Sequence, residues 1–256
     1  MGQNHFSRCK NRIFSWNGKK SFVKLYIWIL RSTGSVPYPE KQWGRKDAFP
    51  GADGSTITQA TYNAATIPIY GADGETILAE DGSGYQKTDI TTIGVMDMNN
   101  TLIYSIKNPL SFINNTIDLR DWFTNNEIYQ NNELWNNNSK SLYDPCPAGW
   151  CTPVKETWMD FTSTNTSYYI NGNIATIVSN TISNGILYNN LSWFSASGYR
   201  TNYSGILAAV GFGGNNWSVT IDSIRVKCFN FNMTNGVRPD NTTYRANGFS
   251  VRCVQE

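Results

Sequence analysis

The chain carries a single histidine, His5, in 256 residues. Nucleophilic catalysis by a Ser–His–Asp or Cys–His group needs an imidazole beside the nucleophile, so the body of the chain has no base of that kind. No C-x-x-C pair occurs either, and five cysteines with one histidine do not make a zinc site of ordinary spacing. The phosphate-cradling G-x-x-x-x-G-K-[ST] pattern is absent, and Gly211–Gly214 reads as a turn before a strand. Carboxylate pairs such as Asp118/Asp121 and Glu127/Glu133 lie in polar segments, where acids are usually solvated surface. Long apolar runs are missing too. Phe22–Leu30 is short, broken by Lys24 and without a small-residue cleavage site after it. It fits a buried strand, since a bilayer span needs roughly 20 apolar residues. Nothing in these residues requires an enzyme, a cofactor or a metal.

What is abundant is asparagine, 31 residues, with 14 Tyr, 9 Trp, 12 Phe and 21 Gly, against only 16% charged residues. Aromatics, Thr, Asn and Gly together suit a β-rich, loop-rich domain and argue against disorder. The net charge of +2 is unevenly spread. Residues 1–46 hold ten Lys/Arg against Glu40 alone, which leaves eleven basic and eighteen acidic groups beyond them, a net of −7. A basic head can touch nucleic acid or anionic lipid. The simpler reading of 1–41 is a leader, non-native or poorly packed, ahead of one domain over 42–256, with no nucleic-acid partner and no membrane span.

Turn signals punctuate the chain. FPGADGS, YGADGET and AEDGSGY separate short strand-like runs, and YINGN at 169–173 carries the Asn-Gly hairpin signal. The Asn-rich stretch 125–141, with Trp135 in it, reads as a long surface loop. Thr152–Phe161 has the best helical character, with Thr152 as N-cap, Pro153 first, and Val154, Trp158 and Phe161 on one face. From Arg245 on, Phe249, Val251 and Cys253 alternate with Ser250 and Arg252, the pattern of a strand with one buried face. Phe249, Val251, Cys253, Trp150, Trp158 and Trp217 are the expected scaffold core. Cys146 sits in a Pro-rich turn. A Cys146–Cys253 bridge and a pair of buried thiols both fit.

LYDPCPAGW (142–150), SASGYR (195–200), GGNNWS (213–218), RANGFSVRCV (245–254) and QWGRKDAFPGADGS (42–55) occur in order. Together they resemble the C-terminal domain of surface and fimbrial-tip proteins of Bacteroides-type bacteria. The resemblance covers residues 42 to 256 and implies an α+β, C-type-lectin-like fold: twisted, mostly antiparallel sheets, one or two helices and long loops. The last strand would lie beside the N-terminal segment. The chain is also similar to the variable proteins of diversity-generating retroelements, whose binding surface is rewritten at adenines of Asn codons. Such rewriting of AAC cannot yield Lys, Met, Trp, Glu or Gln, and between Val219 and Tyr244 only Lys227 and Met233 fall outside the reachable set.

The resemblance therefore implies a ligand surface made of Asp222, Arg225, Asn230, Asn232, Asn235, Arg238, Asp240, Asn241, Thr243 and Tyr244, with Tyr203 and Trp217 at its margin. Tyr and Arg are favoured anchors, and Asn and Thr offer adaptable hydrogen bonds. The expected function is an adhesin-like ligand- or receptor-binding module, with a protein or glycan on a cell surface as partner. Its setting would be the cell surface, or a virion tail if a phage encodes it as a receptor-binding protein. A formylglycine-generating type of enzyme ranks third, because no cysteine pair stands with catalytic partners. The calcium signature of true C-type lectins is missing: Arg238-Pro-Asp240-Asn241 offers one Asp where six to eight oxygens are needed.

Overall fold

The computed structural model describes residues 39–57, 62–136, 139–176, 182–183 and 185–256, with the backbone of 14–16 and 19–21. The apolar run 22–30 and most of the leader lie outside these residues. Glu40 and Lys41, assigned to the leader by sequence, belong to the body: Glu40 is buried and Lys41 pairs with Phe249.

Small antiparallel sheets dominate, and among the described residues the one α-helix is Leu102–Lys107. No helix there is long and apolar enough to cross a membrane. Asn100 starts the helix by accepting from the Leu102 N–H (3.0 Å), and Asn108, followed by Pro109, ends it with two bonds to the Tyr104 carbonyl. Gln86–Asp89 and Ser111–Asn114 form a parallel pair. The Asn-Gly signal is realised as a tight hairpin: Asn171 (φ 48°) and Gly172 (φ 78°) both take positive φ, and Thr166–Ile170 pairs back on Asn173–Ala175.

The sheet with the longest strands is C-terminal, in the order 213–222, 225–232, 236–243, all antiparallel. Its middle strand, RVKCFNFN, is covered on both sides, so simple alternation is obscured. Val226 and Cys228 enter a core built around Trp43, Trp122, Trp135, Trp217 and Phe249. Phe229 and Phe231, on the opposite face, enter a second core with Trp158, Phe161, Tyr188 and Phe194. Each fully buried aromatic contributes roughly 1.5–3 kcal/mol through area removed from water. Register shifts near Trp217/Ile221 and Cys228/Asn230 mark bulges, which twist and re-aim a strand.

Three sequence expectations need correction. Thr152–Phe161 forms only a 3-10 turn, Lys155–Trp158. The Pro153 carbonyl accepts from Val219 N–H and Lys155 N–H donates to Thr220 Oγ1, so the start of the segment is committed to the neighbouring strand. The stretch after Arg245 is not one strand. Gly248–Phe249 pairs with Lys41–Gln42 on one side, and Gly248 with Arg200 on the other. The chain then changes sheets, and Val254–Gln255 pairs with Trp150–Cys151. Phe249, Trp158 and Trp217 are buried, whereas Val251, Cys253 and Trp150 are half-buried because the chain is crossing between sheets. Finally, the Asn-rich segment is no plain surface loop. Leu134 and Trp135 are buried, and Trp135 lies 5.7 Å from Trp43.

A Cys146–Cys253 disulfide, Cα atoms 5.7 Å apart, ties that crossing to the turn at 144–152. Asp144 organises the turn, accepting from the N–H groups of Cys146 (2.8 Å) and Thr152 (3.0 Å). Cys151 and Cys228 are buried thiols.

Three arginines are also buried in the body: Arg45 beside Asp47 (2.7 Å), Arg200 beside Glu40 (3.5 Å) and Arg245 beside Asp121 (3.9 Å). Glu40 has no hydrogen bond to either carboxylate oxygen. Burial pushes its carboxyl up from 4.5 to about 8, against the opposing pull of Arg200. The unfolded chain then releases this proton first, so the Glu40 contribution is full below about pH 4.5 and is lost as pH rises to about 8. Glu40→Gln is expected to flatten the fall in melting temperature between pH 5 and 8. An unchanged slope in that variant would remove Glu40 as its source.

Candidate ligand-binding site

The register of the C-terminal sheet sorts its side chains onto two faces. Asn215 pairs with Asn230, and Asn230 with Arg238, so these three share a face with Asn232, Cys228 and Asn241. Beyond the end of the tryptophan core this face opens into a cleft of about 410 Å³. Asn202, Asn215, Asn230, Asn232, Asn241 and Asn247 line it, with Thr243, Tyr199, Tyr244, Phe212 and Phe249 among the other walls.

The amides are held in a row. Asn232 Nδ2 donates to Asn230 Oδ1 (3.3 Å), and Asn230 Nδ2 donates to Asn215 Oδ1 (2.9 Å). Asn232 Oδ1 in turn accepts from the N–H groups of Thr234 and Asn235 in the adjoining turn. Asn247 is pinned at both ends: Nδ2 donates to Thr243 Oγ1 (2.7 Å), and Oδ1 accepts from Asn202 N–H (2.9 Å). Asn202 differs. It is 6% exposed, yet its side-chain carbonyl oxygen has no hydrogen-bond partner. Buried polar atoms are nearly always paired, so this one calls for an explanation.

The aromatic walls are fixed as well. Tyr199 meets Phe249 edge-on (5.6 Å), and Phe249 stacks on Trp217 (4.4 Å). Burial pushes the Tyr199 hydroxyl above its usual range, and neighbouring Tyr203 adds to the effect. The Tyr244 ring has guanidinium groups of Arg225 (4.3 Å) and Arg120 (5.0 Å) over it, and Arg225 donates to its hydroxyl (2.9 Å). Cys228 lies under Asn241, whose Nδ2 approaches Sγ at 3.6 Å. Burial pushes this thiol up to about 12, which makes it unreactive.

The structure brings together only part of the surface expected from sequence. Asn230, Asn232, Asn241, Thr243 and Tyr244 line the cleft, although Thr243 is nearly covered. Arg238 is exposed opposite Asn230, and Asn235 sits at the adjoining hairpin tip. Arg225 reaches the site through Tyr244, and Tyr203, 52% exposed, stands in the loop after Tyr199. Asp222 and Asp240 do not belong: they face the other way and hold Lys227, each at 3.3 Å. Although burial opposes it, their hydrogen bonds raise Lys227 above its usual range, while Thr242 chiefly holds Asp222 below its own. Trp217 is wholly buried, its indole N–H donating to the Lys41 carbonyl (2.6 Å), so it supports the cleft from below and is not at its margin.

Sequence reasoning missed Tyr199, Asn202, Phe212, Asn215 and Asn247. They lie in or beside SASGYR, GGNNWS and RANG, motifs that carry the resemblance and lie outside the expected ligand surface. The available signal was asparagine placed directly next to glycine, as in Gly214-Asn215 and Asn247-Gly248. Among the described residues no three His, Cys, Asp or Glu side chains gather in a way that could hold a metal ion. Comparisons with family models, curated proteins and solved structures return no match to this chain.

Proposed function

We propose that this chain is a ligand- or receptor-binding module with an adhesin-like role, and that the asparagine-lined cleft is its binding site. The observation that carries the reading is a concave, uncharged row of hydrogen-bonding side chains set over a rigid aromatic and disulfide-tied scaffold. Pockets with an apolar floor and a few positioned polar groups are the usual form of a ligand site. Pairing of Lys41–Gln42, at the start of the body, with Gly248–Phe249, near its end, supports a C-type-lectin-like arrangement, although the last strand, Val254–Gln255, pairs with Trp150–Cys151 instead. The cell surface or a phage tail is the corresponding setting.

Diversification of the surface belongs to the same proposal. Both residues outside the codon-reachable set are structurally pinned: Met233 is fully buried, and Lys227 is held by two acids. Val226, Cys228, Phe229 and Phe231 are reachable but fully buried, so variation would be confined to outward positions such as 230, 232, 235, 238 and 241. A template repeat mismatched at adenines elsewhere in the genome is the expected companion. Variation among isolates that struck the buried positions equally would end this part of the proposal.

The binding test uses arrays of glycans and of cell-surface ectodomains. Replacing Asn232, Asn241 and Tyr244 together by alanine is expected to weaken binding at least about tenfold, as for loss of an aromatic anchor and its neighbours. Replacing Asp222 and Asp240 by alanine, on the opposite face, is expected to leave binding intact. Equal losses from both variants, each folded by circular dichroism, would refute the location of the site.

A further inference from the structure

The chemistry of the cleft narrows what it takes. No side chain lining it is an acid or a base; the Arg120 and Arg225 guanidinium groups are engaged with the Tyr244 ring, and exposed Arg238, opposite Asn230 on the same face, stands outside the lining. An ionised group seated among the amides would lose its hydration there and meet no opposite charge in the lining. A carboxamide presents donors and an acceptor on one planar group, as a hydroxyl does on one atom. Fixed amides therefore suit a ligand whose hydroxyls donate and accept side by side. Anchors of one charge would satisfy only half of that capacity.

The amide row is directional, each Nδ2 donating to the next Oδ1, so the free valences on Asn215 and Asn232 keep one orientation. The unpaired, buried carbonyl of Asn202 is an acceptor awaiting a donor, such as a ligand O–H. Tyr199, Phe212 and Phe249 supply apolar surface in the same space. Polar edges around an apolar C–H face are the properties of a pyranose ring. A volume of about 410 Å³ is that of a small-molecule pocket.

Resting on the reading that this cleft is the binding site, we infer that its ligand is a neutral saccharide, held as one uncharged hexose unit. The Asn202 carbonyl receives one ring hydroxyl, and the Asn215–Asn230–Asn232 row faces its neighbours. A free sugar and the terminal unit of a glycan share this chemistry. Comparing methyl hexosides with hexose-terminated oligosaccharides tells them apart, since only a glycan site gains affinity with chain length.

The test is a titration of the ¹⁵N-labelled protein, following side-chain amide signals. The probes are neutral methyl hexosides, N-acetylneuraminic acid and glucuronic acid. At least one neutral hexoside is expected to shift the amide signals of Asn202, Asn215 and Asn232, while the acids shift none. Asn202→Asp and Asn232→Asp are each expected to weaken that binding at least tenfold. Asn232 is half-exposed, so its variant keeps the test valid if the buried Asn202 variant fails to fold. Stronger binding of the acids overturns the neutral class. If no saccharide shifts these signals while an arrayed protein ectodomain loses binding on Asn232→Asp, the saccharide falls and the site stands. If Asn232→Asp alters binding of neither kind of probe, both readings fall.

Discussion

Phe249→Ala is expected to destabilise the domain by about 3–5 kcal/mol, the usual range for an aromatic removed from a core. The ring is 3% exposed, stacks on Trp217 at 4.4 Å and meets Tyr199 at 5.6 Å. Its backbone joins the Lys41–Gln42 segment to the centre of the fold. Collapse around the gap is restricted, because Trp217 is itself fixed by its bond to the Lys41 carbonyl. Chemical denaturation with the slope unchanged is the measurement. A loss under about 1 kcal/mol would mean that neighbouring side chains refill the space and that Phe249 is no keystone of this core. Stability is the readout because Phe249 also floors the cleft, so binding would fall for either reason.

Loss of the Cys146–Cys253 bridge is expected to be comparably severe. Its ends are 107 residues apart, and closing a loop of that length removes chain entropy from the unfolded state worth roughly 4–5 kcal/mol. The native side also depends on it, since Val254–Gln255 pairs with Trp150–Cys151 through only two residues a side. The paired Cys146→Ser, Cys253→Ser protein, or the parent in strong reductant, is expected to show a much lower denaturation midpoint. Freeing the last residues while leaving Phe249 in place is the expected structural consequence, visible as loss of amide protection beyond residue 250. A midpoint equal to that of the oxidised protein would show that the pairing adds nothing to folding.

These two expectations also separate what was legible from what was not. Phe249 and Trp217 as buried residues were readable from apolar residues set among polar ones. The partner of Cys146 was not, because five cysteines leave several pairings open and a buried thiol satisfies the same pattern. Trp135 was misread for a related reason: it sits in an Asn-rich stretch, and local polarity says nothing about a contact with Trp43, 92 residues away in sequence.

By itself the sequence determined the local events. Asn171-Gly172 makes a hairpin because both positions need positive φ, and those residues tolerate it. The β-rich class follows from abundant aromatics, Thr and turn residues, and that His5 is the single histidine follows from simple counting. Tertiary structure alone decided which asparagines share a cleft. Asn215 and Asn230 face each other across a local hairpin, but Asn202 and Asn247 meet each other 45 residues apart, beside the pairing of Arg200 with Gly248, and a strand two residues long carries no record of its partner. It also decided that Asp222 and Asp240 turn away from Asn230. The side chain at each position depends on bulges and on cores covering both faces of the middle strand. Those are settled by burial summed over the whole molecule, and no window of residues contains that sum.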